Sequence, residues 1–249
     1  MIAQLTAMHR WCTLLAAAAA FLTCTTSARA ETDVGALAAL LTGTHVGEEN
    51  PGPVSGVIPG GLLEATQRWG RLRIHLEGFP EVSARASSAG NFGTSSAKLG
   101  LLNSTVLYDL DRNHRFRVGL GFQLIDLRSY NGNNGDVDQA RVTSPIYAVG
   151  ATLPTARNQF VELNLLVDPN IRGILRVFPA NLPQAPDEPE AGAEVDYSAA
   201  YGWRHGSVAY LLGARGLSYH TRNVNTGELV DRNVGGGITF EVRFAFGQR

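Results

Sequence analysis

The chain of 249 residues carries 28 glycines, 17% charged residues and a formal net charge of −1. A balance this close to neutral excludes a nucleic-acid footprint, and the glycine-rich, charge-poor composition describes strands and turns rather than helices. Lys98 is the only lysine beside twenty arginines, whereas the outside of a soluble domain usually carries many lysines among its charges.

The first thirty residues read as an export signal. Arg10 precedes an apolar run from Trp11 to Cys24, and Ala28-Arg29-Ala30 supplies an Ala-x-Ala cleavage site. Residues 1–30 are therefore expected to be removed after Ala30, leaving residues 31–249 as a single domain. Both cysteines, Cys12 and Cys24, fall in the removed part, so the mature protein has no disulfide and no thiolate chemistry. No later stretch approaches the roughly 18 continuous apolar residues a membrane helix needs. If the mature chain crosses a bilayer, it does so as strands.

Strands are expected near Val34 to Val46, Gly61 to Trp69, Arg71 to Val82, Ala97 to Leu110, Arg115 to Tyr130, Ala140 to Pro154, Gln159 to Phe178, Ala193 to Trp203, Ser207 to Arg222 and Val234 to Phe246. Four segments, Ala65 to Ile74, Leu107 to Val118, Leu153 to Val161 and Tyr201 to Val208, each hold a connection short enough for a hairpin. Five longer polar stretches separate them: Gly47 to Gly60, Ser83 to Ser96, Asn131 to Gln139, Pro179 to Gly192 and Asn223 to Asn233. Alternating short and long connections suit a closed antiparallel up-and-down transmembrane β-barrel of about ten strands with both termini at the short-turn rim. The weak helical character of Ala36 to Leu41 and Leu62 to Gln67 leaves an eight-stranded barrel with an N-terminal segment as the alternative. Pro145 and Pro169 mark places where the ladder should be irregular, because proline cannot donate to it.

Along the closing strand Ile238, Phe240, Val242, Phe244 and Phe246 share one face, and Thr239, Glu241 and Arg243 the other. Period-two alternation alone does not say which face is inside, since a soluble ligand-binding barrel shows the same pattern turned inward. The directions of Phe240 and Glu241 decide it. In the membrane arrangement Arg71, Arg73, His75, Glu77, Arg117, Glu162, Asp196, Arg215, Glu241 and Arg243 form a lumen charge network. Trp69, Tyr108, Phe116, Phe160, Tyr201, Trp203, Phe244 and Phe246 form an aromatic girdle at the periplasmic rim.

With its layout and the closing Phe244-Ala245-Phe246, the mature sequence resembles the small outer-membrane β-barrel proteins of Gram-negative bacteria over nearly all its length. It departs from them where Gln248 and Arg249 follow the last aromatic and where Glu241 replaces the glycine common in the assembly signal. The resemblance implies the cell outer membrane as location, outer-membrane lipid and lipopolysaccharide as surroundings, the barrel-assembly machinery as partner during biogenesis, and a monomer. It implies no cofactor.

Chemistry is sparse. Tyr219-His220-Thr221-Arg222-Asn223 is similar to the His-x-Ser-Asn stretch of the lipid A deacylases, but Arg222 stands at the nucleophile position, and without a nucleophile the triad logic fails. His220 is thus a weak catalytic candidate, and an enzyme is not expected. No two histidines have His-x-x-x-His spacing, and Asn131 to Asp138 lacks the closing Glu of a calcium loop. Arg128, Arg141 and Arg222 stand at outer strand ends, where they snorkel or meet phosphates. Eight to ten strands enclose little more than their own side chains, which argues against a general porin. The expected role is structural or one of surface interaction through the outward loops, with a lipid A-modifying enzyme or a narrow small-solute channel as alternatives.

Overall fold

The structure, a computed structural model, describes residues 30–47, 50–88, 95–130, 137–178 and 187–247. Residues 1–29, which fall in the segment read from sequence as an export signal, residues 48–49, the centres of the stretches Ser83 to Ser96, Asn131 to Gln139 and Pro179 to Gly192, and Gln248 with Arg249 lie outside the described residues.

Ten strands make up the fold. They are β1 (Ala30–Gly47), β2 (Asn50–Trp69), β3 (Leu72–Ser88), β4 (Ser95–Asp109), β5 (Phe116–Tyr130), β6 (Val137–Ala156), β7 (Gln159–Phe178), β8 (Glu188–His205), β9 (Val208–Asn223) and β10 (Leu229–Phe246). Each pairs antiparallel with its neighbours in sequence, and β10 pairs with β1. The sheet is a closed all-β up-and-down barrel. A path of direct cross-strand partners from Phe246 through Thr32, Gln67, Ile74, Val106, Leu120, Tyr147, Val167, Val195 and Ser218 returns to β10 at Val234, twelve residues from its start. That stagger tilts the strands within the usual range of about 35–45°.

Side-chain direction separates the two kinds of barrel. Phe240 is 44% exposed and Glu241 6%. The same division runs around the sheet: Val106, Leu120, Phe122, Val149, Leu163, Leu212 and Ile238 are exposed, while Asn103, Thr105, Arg117, Gln123, Glu162, Asp196 and Thr239 are buried. The apolar face is outside and the polar face inside, the reverse of an apolar-lined soluble barrel.

The tight turns and both described chain ends share one rim, since Ala30 pairs with Trp69 and Thr32 with Phe246. Gly70 and Gly206 each open a two-residue turn at φ 59°, the left-handed conformation that the first central position of a II′ hairpin requires and glycine adopts without cost. The longer turn after β4 is organised by Asp111. Its Oδ1 accepts the backbone N–H groups of Arg115 at 2.6 Å and Phe116 at 3.0 Å, and its Oδ2 that of Asn113 at 3.2 Å.

The strands outrun their expected limits, and the strict alternation of short and long connections fails at its first member. Gly47 to Gly60, read from sequence as a loop, belongs almost entirely to β2, so only residues 48–49 join β1 to β2. Pro51, Pro53 and Pro59 hide this strand. Its pairing with β1 is continuous from Val54 to Trp69, but its pairing with β3 breaks between Gly56 and Leu63, so the stretch that holds Pro59 bonds on one side and tolerates a residue without an N–H. The ladder is also irregular between Val142 and Tyr147, around Pro145, and between Asp168 and Ile171, around Pro169.

Candidate functional site

The lumen collects charge in two hubs. In the first, Arg243 on β10 donates from Nε to Glu64 Oε1 and Glu241 Oε1, each at 2.7 Å, and from Nη1 to Glu162 Oε2 at 3.0 Å. Arg117 on β5 joins it, 3.4 Å from Glu162 and hydrogen-bonded to Thr152 Oγ1 at 2.8 Å and to Asn164. In the second, Arg215 on β9 binds Asp196 on β8 and, at 2.5 Å, Glu77 on β3. His75 lies 3.6 Å from Glu77, and its Nδ1 is 2.8 Å from Thr66 Oγ1.

Two glycines make these reaches possible. A Cβ on Gly35 would stand 2.8 Å from Glu64 Cγ and 3.0 Å from Glu241 Oε1, and one on Gly150 would stand 2.5 Å from Arg117 Nε. The bare backbone of β1 lets Glu64 and Glu241 converge on one guanidinium, and that of β6 lets Arg117 cross to Asn164. The partners of Arg243 and Arg117 come from β2 (Glu64), β6 (Thr152), β7 (Glu162 and Asn164) and β10 itself (Glu241), so that three carboxylates share two guanidiniums.

Between the hubs lies a cavity of about 120 Å³. Its charged walls are Asp33, Glu64, Glu77, Glu162, Asp196 and Glu241 with Arg73, Arg117, Arg215 and Arg243, and His75 and Asn103 also face it. One step further from the tight-turn rim, Gln123 Nε2 donates to Glu194 Oε1 at 3.0 Å across the lumen. Beyond that bridge Leu62, Leu101, Ile125, Ile171 and Tyr219 pack together, with Leu37 against them. This apolar cluster fills space in the lumen on the side of the longer connections.

Most of the residues singled out from sequence meet in these hubs. Arg73 pairs instead with Asp109 at 2.9 Å, beside His114, whose Nδ1 is 2.6 Å from the same carboxylate. This contact holds His114 at φ 57°. Arg71 lies in the turn before β3, and no ion pair to it is found among the described residues. Sequence reasoning missed Glu64, Asp109, Asn103, Thr66 and Glu194. For Glu64 and Thr66 the signal was period-two spacing with Leu62; the turn sequence hid Asp109.

Tyr108, Phe116, Tyr201, Trp203, Phe244 and Phe246 are exposed on the outer face near the tight-turn rim, with Trp203 stacked on Tyr210 at 6.1 Å and Trp69 half-buried beside them. Phe160 departs from the girdle. It shares the inward face with Glu162, and its ring lies over Gly202, where a Cβ would come within 2.4 Å of Cζ, beneath the Arg204 guanidinium at 5.9 Å. His220 is exposed on the outer face, opposite Ala193 on β8, and Thr221 is buried on the other face. Arg222 is exposed and donates to Gly227 O at 3.1 Å; the side chains of Arg128 and Arg141 lie outside the described set. Outside the strands, the three amide contacts hold the Asp111 carboxyl below its ordinary pKa of 3.8, that of Phe116 contributing most.

No family model matches the chain, and no curated protein does. Among solved structures it is similar to the outer membrane protease OmpT from Escherichia coli, at 10% identity over 89% of this chain and 98% of that one, with a TM-score of 0.54. The two chains share a fold. The β domain of the Bordetella autotransporter BrkA aligns at 11% identity over 86% of this chain and 99% of that one, with a TM-score of 0.43. The toluene transporter TodX of P. putida aligns at 7% over 89% and 91%, with a TM-score of 0.36. At 10% identity the likeness to the outer membrane protease is one of architecture alone.

Proposed function

We propose that this chain is an integral outer-membrane barrel whose lumen is filled by its own side chains, and that it serves a structural or surface-interaction role through the connections opposite the tight turns. The observation that carries this reading is the pairing of an outward apolar face with an inward network of arginines and carboxylates. An exposed surface of Val106, Leu120, Phe122, Leu212, Ile238 and Phe240 suits lipid, and buried charges that are mutually paired suit a lumen without bulk water. The aromatic residues at the tight-turn rim suit the periplasmic interface. On this reading the chain is exported, loses residues 1–30, is inserted by the barrel-assembly machinery, and stands as a monomer among lipid and lipopolysaccharide.

The apolar cluster of Leu62, Leu101, Ile125, Ile171 and Tyr219 supports a plugged barrel over a small-solute channel, since it fills space in the lumen beyond the charged cavity. Two measurements test the proposal together. Fractionation of the host should place the mature protein with the outer membrane, and recovery from the soluble periplasm would refute the location. The refolded protein in a planar bilayer should show no stable conductance steps; steps abolished by Ile125→Trp would refute the filled lumen.

A further inference from the structure

We propose that Glu64, His75 and Glu77, with Asn103 beside them, form a binding site for one divalent first-row transition cation inside the barrel. The site follows from lumen geometry and does not depend on the membrane in which the barrel sits.

The three residues lie on β2 and β3, where Glu64 and Glu77 are direct cross-strand partners, as are Thr66 and His75. One ligand atom from each of Glu64, His75 and Glu77 falls within 4.8 Å of the others. With metal bonds of about 2.0–2.2 Å the ligand atoms would close to roughly 3–3.5 Å of one another, a rotamer adjustment rather than a backbone movement. Sequence spacing does not reveal the group, because its members face one another across a hairpin.

Four observations point to a cation. The Thr66 hydroxyl sits 2.8 Å from His75 Nδ1. If Nδ1 carries the proton, the lone pair of Nε2 faces the carboxylates, with Glu77 Oε2 at 3.6 Å, which is how an outer hydrogen bond fixes a metal-binding imidazole. Glu64 and Glu77 are each held through Oε1, by Arg243 and Arg215, so that Oε2 is the atom to offer. Asn103 stands directly across from Glu77 on β4, is 1% exposed and lines the cavity. Neither its Oδ1 nor its Nδ2 has a hydrogen-bond partner among the described residues, although a buried amide without one is costly. Finally, the cavity wall brings six carboxyl groups against four guanidiniums, a lining richer in cation ligands than in cations. Carboxylate, imidazole and amide donors together select a hard or borderline divalent ion such as Mn2+ or Zn2+ rather than a soft monovalent one.

The experiment uses the full mature barrel, refolded in detergent and stripped with EDTA. Zn2+ is titrated calorimetrically, and Mn2+ is followed by electron paramagnetic resonance. One ion per chain is expected. His75→Gln and Glu77→Gln should each weaken binding at least a hundredfold. Thr66→Val, a positioning change that leaves every ion pair intact, should weaken it about 10–100-fold. Gel mobility before and after boiling reports whether each variant is folded, and if the His75 or Glu77 variants do not fold, Thr66→Val and Asn103→Ala carry the test. Absence of binding to the wild type, or binding unchanged in the folded variants, overturns the site. Binding lost only in His114→Gln overturns it as well, by moving the ion to the turn. None of these outcomes bears on fractionation or conductance, so the site and the barrel's role fail separately.

Discussion

Replacing Arg243 by methionine removes the one guanidinium that Glu64, Glu241 and Glu162 share. Their side chains are only 7–11% exposed, and Arg117 remains as a partner for Glu162 alone. Stripping a buried carboxylate of its partner costs about 3–5 kcal/mol. The adjoining cavity can admit water and protons, which favours the lower end. A loss of about 3 kcal/mol is therefore expected, roughly a hundredfold in the folding equilibrium. Glu241→Gln is the control, because it withdraws one negative charge from a wall that already holds more carboxylates than guanidiniums; its effect should stay within about 1 kcal/mol. Urea unfolding in lipid vesicles, followed by the fluorescence of Trp69 and Trp203, measures both. An Arg243→Met barrel within about 0.5 kcal/mol of the wild type, or a Glu241→Gln barrel less stable than Arg243→Met, would refute the hub as the organising contact of the lumen.

Two further expectations follow from the outer face and the rim. Phe240→Arg places a charge on the exposed apolar surface and should cost about 2–4 kcal/mol in vesicles if its level is near the bilayer midplane, with little change in a detergent micelle; equal losses in both media would speak against lipid at this level. The Asp111 carboxylate stabilises its turn fully above the ordinary carboxylate range, and that contribution fades as pH falls through its depressed folded value. The Phe116 amide resonance should therefore titrate with a midpoint below 3.8, and a midpoint at or above 3.8 would contradict the three amide contacts.

How much of this could be read from sequence depended on what each segment displayed. The closing strand showed its two faces plainly, and Glu241, Arg243, Glu162 and Arg215 were found because single charges recur at period two among small residues. The faces of β4 are hard to tell apart in sequence because its inner face runs Leu101, Asn103, Thr105 and Leu107, so that apolar residues occupy both sides. Its buried polar member, Asn103, was lost in that ambiguity. Glu64 was masked by the helix-forming run Leu62 to Gln67, where partner strands on both sides override local preference. The beginning of β2 was masked by Pro51, Pro53 and Pro59, of which Pro59 lies where the strand bonds on one side only. Phe160 looked like its aromatic neighbours, and only the inward position of Glu162 two residues on shows that it belongs to the mouth of the lumen.

Strand length also sets a height. β2, β6 and β7 are each 20 residues long, which at about 3.3 Å per residue and a tilt near 40° rises roughly 50 Å along the barrel axis. The apolar band of such barrels is only about 25 Å tall. With its tight turns at one interface, the sheet would carry the opposite rim roughly 25 Å clear of the far one. Whatever meets this protein from outside would then touch a stiff hydrogen-bonded collar before it reached lipid.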